Sequence, residues 1–166
     1  MQFNVSQLLR ERPGASRHYV LDPQPPLLRG AVTLIRTPDG VLVQCEGAGV
    51  LESSCSRCLA PFGYPVDFAF DEIFVQQVDV TTGAAMPPSD EPDAFLVALN
   101  HTIDITEAVR QYSEMAAEMQ PLCRPDCPGL CPECGMDLNL GDCRCDRAPI
   151  DSRWAALAAL KRSSNG

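Results

Sequence analysis

Eight of the nine cysteines fall into close pairs, and thiols spaced this way chelate metal. Cys131 and Cys134 are separated by two residues in "LCPECG", and Cys143 and Cys145 by one in "GDCRC". Two thiolates two residues apart grip one tetrahedral ion if the chain between them folds into a tight turn. Pro132 preorganises that turn, and Gly135 permits the positive φ commonly needed just after it. Four soft sulfur ligands suit Zn²⁺. The competing readings of this set are a redox dithiol or plain buried thiols. Cys55 and Cys58, in "CSRC", form a weaker signal alone. The pair is also compatible with a redox motif, though no βαβ pattern surrounds it. It needs two partners, and Cys123 with Cys127, in "LCRPDC", are the remaining close pair. The expectation is therefore two structural zinc sites. One is Cys55, Cys58, Cys123 and Cys127, stapling the end of a sheet to the end of a helix. The other is Cys131, Cys134, Cys143 and Cys145. Cys45, isolated in a strand pattern, reads as a buried thiol.

Other candidates for chemistry are thin. A zinc ion filled by four thiolates has no open position for activated water, so such sites are structural. His18 sits in a strand pattern and His101 just before a helix, and both read as structural or solvated. No Ser-x-x-Lys, glycine-rich phosphate loop or His-Glu-x-x-His occurs. Phe62, Phe68, Phe70, Phe74 and Trp154 read as core rather than as a base-stacking platform. These observations argue against an enzyme.

At 166 residues and 45% hydrophobic composition the chain can build one ordinary domain with a small appendage. No apolar run approaches the roughly 18–20 residues that span a bilayer. The start, "MQFNVSQLLRERPG", lacks a basic n-region, a continuous apolar stretch and a small-residue cleavage site. A cytoplasmic location without membrane contact follows, where thiols stay reduced; an odd cysteine count also fits poorly with a disulfide framework. The formal net charge of −9 argues against a general grip on nucleic acid. Residues 67–118 hold eleven acids against Arg110, and residues 144–162 hold five bases against two acids. Arg144, Arg147 and Arg153 lie in that basic tail.

The elements that must position the thiols are legible in outline. Arg17–Asp22, Ala31–Arg36 and Val41–Glu46 read as strands, the last two joined across "TPDG" as a hairpin. Gly47 and Gly49 predict a bulge or bend before the strand resumes at Val50. "YPVDFAFDEIFVQQVDV" alternates, with Val66, Phe68 and Phe70 on one face. Residues 81–94 read as a surface loop rich in Gly, Pro and acids. A long helix is predicted over Ile105–Met119, opened by a capping box of Asp104 and Glu107 and stopped by Pro121. A short helix is predicted within "DSRWAALAALKR" (151–162). The predicted class is α+β: a mainly antiparallel sheet curling towards a barrel, one long helix, a zinc-knuckle segment and a short C-terminal helix. The predicted division is a β-rich domain with its helix over 1–122, and a cysteine-rich segment over 123–166 packed on it.

The blocks "CSRCLAPF", "IDIT", "PLC", "GLCPECGMDLN", "CRC" and "DSRWAALAAL" occur in an order that resembles the YceD family, covering about residues 50–160. These are bacterial and plastid proteins linked to accumulation of large-subunit (23S) ribosomal RNA. Two departures are small: Asp151-Ser152-Arg153 stands where the family usually has Asp-Pro-Arg, and Asp104-Ile105 where it has Asp-Leu. Some members keep the first Cys-x2-Cys and lack the later block, a pattern that two separable sites would produce. The resemblance implies a role in ribosome biogenesis. The charge distribution then points to a basic ribosomal protein or pre-ribosomal particle as partner. Direct RNA contact through Arg144, Arg147 and Arg153, and thiol redox or metal handling, are the alternatives.

Overall fold

The structure is a computed structural model; it describes residues 1–25, 27–88, 92–145 and 153. Of the predicted helix within 151–162 only Arg153 is among the described residues; Trp154 and Arg147 lie outside them.

The alternating runs of the first half become long strands. β1 is Gln2–Asn4, followed by a short 3₁₀ turn at Leu8–Arg10; β2 is Ser16–Leu21, β3 Leu27–Thr37, β4 Gly40–Ser54 and β5 Pro61–Gln76. Two short strands follow, β6 at Leu96–Val97 and β7 at Thr102–Asp104, then α1 at Thr106–Met115. β2 through β6 form one sheet in sequence order, antiparallel except that β6 runs parallel to β5. The sheet is open and mixed, not the closed barrel towards which the alternation pointed: among the described residues β2 and β6 are its edges. β1 and β7, which periodicity did not reveal because each is three residues long, make a separate antiparallel pair.

The "TPDG" hairpin forms as expected, with Thr37 opposite Gly40. The expected bulge at Gly47 and Gly49 does not form; β4 pairs with β5 without interruption from Gly40 to Ser54. The register shift lies instead on β3, between Leu27 and Arg29. Gly47 is small for a packing reason. A Cβ there would sit 2.6 Å from the Phe68 ring and 2.9 Å from Leu27.

One face of the sheet carries Leu21, Val32, Leu34, Val41, Val43, Cys45, Phe68, Phe70 and Phe74 into the core. The opposing layer is Val5, Leu8 and Leu9 from the N-terminal segment with Ile103 of β7, Ile105 at the junction, and Ala108 and Val109 of α1. Tyr112 of α1 stacks on Phe70 at 4.7 Å and donates its hydroxyl hydrogen to Glu72.

The helix is shorter than its apolar spacing suggested. Ala117 N–H turns back to the Glu114 carbonyl, and Glu118 N–H donates to the Tyr64 hydroxyl, so the ladder ends at Met115. Met115 and Met119 are 75% and 98% exposed. The capping box is also absent. Asp104 accepts from Thr106 N–H at 2.9 Å, while Glu107 is drawn forward to Arg110 and Gln111. The Arg110 guanidinium, and then Gln111, hold Glu107 down to about 2. Within residues 81–94 the chain is not featureless: Asp79 accepts from Thr81 and Thr82 N–H, and Val78 bridges Ala85.

Candidate metal centres

The same turn is built twice. Between β4 and β5, Cys55 N–H donates to the Ala60 carbonyl and Leu59 N–H to the Cys55 carbonyl, each at 2.9 Å. In the C-terminal block, Cys131 N–H donates to Met136 and Gly135 N–H to Cys131, each at 2.8 Å. Both turns need a left-handed residue just after the second cysteine. Gly135 supplies it at φ 72°, as expected from the sequence, whereas the first turn forces Leu59 to φ 61°.

These turns present two sulfurs each, and other segments complete two tetrads. Cys55 and Cys58 meet Cys123 and Cys127; Cys131 and Cys134 meet Cys143 and Cys145. Within each group the four sulfurs lie within 4.8 Å of one another. The pairing by segment is the one read from spacing. Cys55 and Cys127 sulfurs are 3.8 Å apart, Cys58 and Cys123 3.8 Å, and Cys131 and Cys143 3.3 Å. A disulfide would need about 2.05 Å. Sulfurs at about 2.3 Å from a central zinc form a tetrahedron with edges of about 3.8 Å, so the donor sets fit such an ion.

Electrostatics point the same way. Backbone N–H groups, foremost those of Cys123 and Cys58, hold the Cys55 thiol down to about 6, against the effect of burial. Those of Cys134 and Glu133 hold Cys131 down to about 7. Cys123, although exposed as a residue, is pushed up to about 12 by desolvation at its sulfur and by the neighbouring sulfurs, and Cys145 to about 12 by Cys134 and then by desolvation. Four thiolates at this separation repel, and a dication at the centre relieves that repulsion.

The first centre is the drier one. Cys55, Cys58 and Cys127 are buried beside Ala60, Phe62, Leu122 and Leu130, and Cys123 is exposed. Phe62 thus serves the centre, while Phe68, Phe70 and Phe74 fill the main core. In the second, Cys131 is buried, Cys143 and Cys145 are half-buried and Cys134 is exposed. Cys45 lies apart in the main core.

Sequence spacing did not single out the residues that hold the segments together. Arg57 donates to the carbonyls of Cys127 at 2.8 Å and Pro125 at 3.4 Å, and its own carbonyl accepts from Leu130 N–H. Gly129, at φ 78°, lies so close that a Cβ would sit 3.0 Å from the Arg57 oxygen. Asn139 donates to the Cys127 sulfur at 3.5 Å and is the foremost cause holding that thiol down. The nearest signal was the polar residue in each block, Arg57 in "CSRC" and Asn139 in "GMDLN".

The remaining candidates stand outside the centres. His18 Nδ1 lies 3.1 Å from the Thr33 hydroxyl, and His101 occupies a turn at φ 59°. Arg144 and Arg153 are exposed. A groove beside β5 is lined by Asp39, Asp71, Glu72 and Asp93 with apolar Ile73, Val75 and Phe95, and no Lys or Arg is among its described lining residues. Among the described residues no helix is long and apolar enough to cross a membrane.

A family model described as "Large ribosomal RNA subunit accumulation protein YceD" matches residues 43–161, a span holding every clustered cysteine. Uncharacterized proteins of Mycobacterium tuberculosis and Mycobacterium bovis are each 33% identical over 122 residues, covering 74% of this chain and 56% of theirs. One of Mycobacterium leprae is 31% identical over 122 residues, covering 74% of this chain and 54% of its own. The chain spans about half the length of these curated relatives. No solved structure matches.

Proposed function

The chain belongs to the YceD family of large ribosomal RNA subunit accumulation proteins, and from that premise we propose a non-enzymatic factor of large-subunit biogenesis that two structural zinc ions hold in shape. The family match carries the ribosomal part of this reading. The two tetrads support the zinc part: Cys55, Cys58, Cys123 and Cys127 hold one ion, and Cys131, Cys134, Cys143 and Cys145 the other. Bound there, zinc supplies crosslinking of chain segments and no reactive position, because four thiolates fill its tetrahedron.

The protein acts by binding, and its partner is a basic ribosomal protein or a pre-ribosomal particle displaying one. The charge distribution supports this. Glu107 and Glu114 are compensated by Arg110 at 2.6 and 2.7 Å. Asp39, Asp71 and Asp93 instead converge on the groove beside β5, where apolar side chains lie next to carboxylates. Such a surface suits a basic segment with apolar side chains, and capture steered by opposite charge weakens as salt rises.

The test is capture of ribosomal proteins from lysate, identified by mass spectrometry, with and without nuclease. The triple variant Asp39→Asn, Asp71→Asn, Asp93→Asn should lose most capture, and nuclease should not. Capture abolished by nuclease and by neutralising Arg144, Arg147 and Arg153, but indifferent to the acids, would transfer the role to direct RNA contact. A reversible disulfide within either tetrad, formed with metal release under mild oxidant, would favour thiol redox or metal handling instead.

A further inference from the structure

The loop that the second centre closes also reaches into the first. After the Cys131–Cys134 turn the chain doubles back: Asp137 bridges Leu130, and Leu138 N–H donates to the Gly129 carbonyl at 2.9 Å. This brings Asn139 over Cys127. Its side chain is locked there, because Asn139 N–H and Nδ2 both donate to Asp137 Oδ1, at 2.8 and 2.6 Å. The same Nδ2 donates to the Cys127 sulfur at 3.5 Å. The reverse orientation of the amide would set its oxygen against both a carboxylate and a sulfur. In the observed one Asn139 Oδ1 is buried with no hydrogen-bond partner among the described residues. A buried acceptor left unsatisfied is costly, so the placement serves the nitrogen.

We infer that Asn139 couples the two centres: held in place by the second, it donates to a ligand of the first, so the first binds metal more tightly when the second is filled. The inference rests on the zinc reading. Hydrogen bonds to metal ligands typically change affinity 10–100-fold, and a donor to a thiolate disperses charge that the metal would otherwise neutralise alone. The second centre, with one exposed and two half-buried thiols, is the more accessible to chelators and oxidants. Its loss frees the 131–145 loop, withdraws Asn139 from Cys127, and loosens the first centre in turn. The centres therefore empty in order, the outer before the inner.

The experiment is a Co²⁺ titration of the full chain, followed by its thiolate-to-metal and ligand-field absorption, on wild type, Asn139→Ala, Cys134→Ser and the double variant. Asn139→Ala should weaken the first centre roughly 10–100-fold and leave the second unchanged, which also reports that the loop still folds. Cys134→Ser should weaken the first centre by a similar factor, and the double variant by no more than either alone. Asn139→Asp, which replaces the donor by a negative acceptor, should weaken it further than Ala does. Losses that add in the double variant, or equal weakening of both centres by Asn139→Ala, would overturn the coupling alone. A wild-type chain taking up no metal would overturn the zinc reading and the coupling with it.

Discussion

Alkylation after metal removal should separate the ninth thiol from the other eight. Among the described residues the main core contains eighteen buried ones, Cys45 among them, and none of the eight clustered cysteines. Those eight form the two tetrads outside it, and Cys55, Cys58 and Cys127 share a small satellite cluster with Ala60, Phe62, Leu122 and Leu130. Chelation should therefore release them while the β-rich body stays folded. Cys45 is 4% exposed, between Val32 and Phe70 on the neighbouring strands. Burial, and then Glu46, push its thiol from 9.0 to about 11. That shift alone lowers its thiolate fraction near neutral pH about 100-fold, and the thiolate is the nucleophile. Reaction by opening of the core restores the ordinary thiol, but that route is slowed about 10³-fold or more for a domain stable by about 5 kcal/mol. With a strong chelator and iodoacetamide, intact-mass measurements should plateau at eight modifications. The ninth should follow only in denaturant. Nine modifications at one rate after chelation would refute the separation, because the sheet would then depend on metal for its fold.

The same thiol gives a pH test. Its folded value of about 11 lies above the ordinary 9.0, so its contribution to stability is present below pH 9 and lost as pH rises through 11. The loss amounts to about 3 kcal/mol. Urea midpoints of wild type should fall relative to those of Cys45→Ala over that window; parallel curves would exonerate the thiol. Gly47→Ala drives a methyl group into Phe68 and Leu27, and should destabilise by about 1–3 kcal/mol, read as a drop in Tm; a neutral result would show that the ring swings aside freely. Leu59→Gly relieves a left-handed leucine that is 64% exposed and contributes little packing. Relief of about 1–2 kcal/mol outweighs a chain-entropy cost of about 0.5–1 kcal/mol, so the zinc-loaded protein should gain slightly in Tm. A loss would mean that Leu59 packs more tightly than its exposure implies.

How much of this was legible depends on the range over which each signal acts. The alternation in Val66, Phe68 and Phe70 and the turn chemistry of Pro38 and Gly40 are local, and the strands and hairpin formed where they pointed. The helix end was misjudged because its last turn depended on tertiary surroundings: Met119 stays 98% exposed, and Tyr64 took the Glu118 amide. The barrel failed for a similar reason. Alternation reports which face of a strand is apolar, and says nothing of whether β2 and β6 meet. The glycines at 47 and 49 suggested a bulge, but closeness of the Phe68 ring at Gly47 is visible only across strands.

Residue type and spacing were enough to mark which side chains could hold metal and to suggest a division into two sets of four. Thiol type and the two-residue spacing are local facts, and so is the ease with which Gly135 adopts the left-handed position after Cys134. Tertiary structure decided what lies between: that the β4–β5 turn meets the chain beyond α1, that Arg57 ties the two together, and that Asn139 of one loop reaches the sulfur of Cys127. Cys55 and Cys127 are 72 residues apart in the chain and 3.8 Å apart in space. Bringing them together depends on the length and pairing of the strands and on where the helix ends, which are set by packing over the whole domain and leave no mark in the spacing of the cysteines.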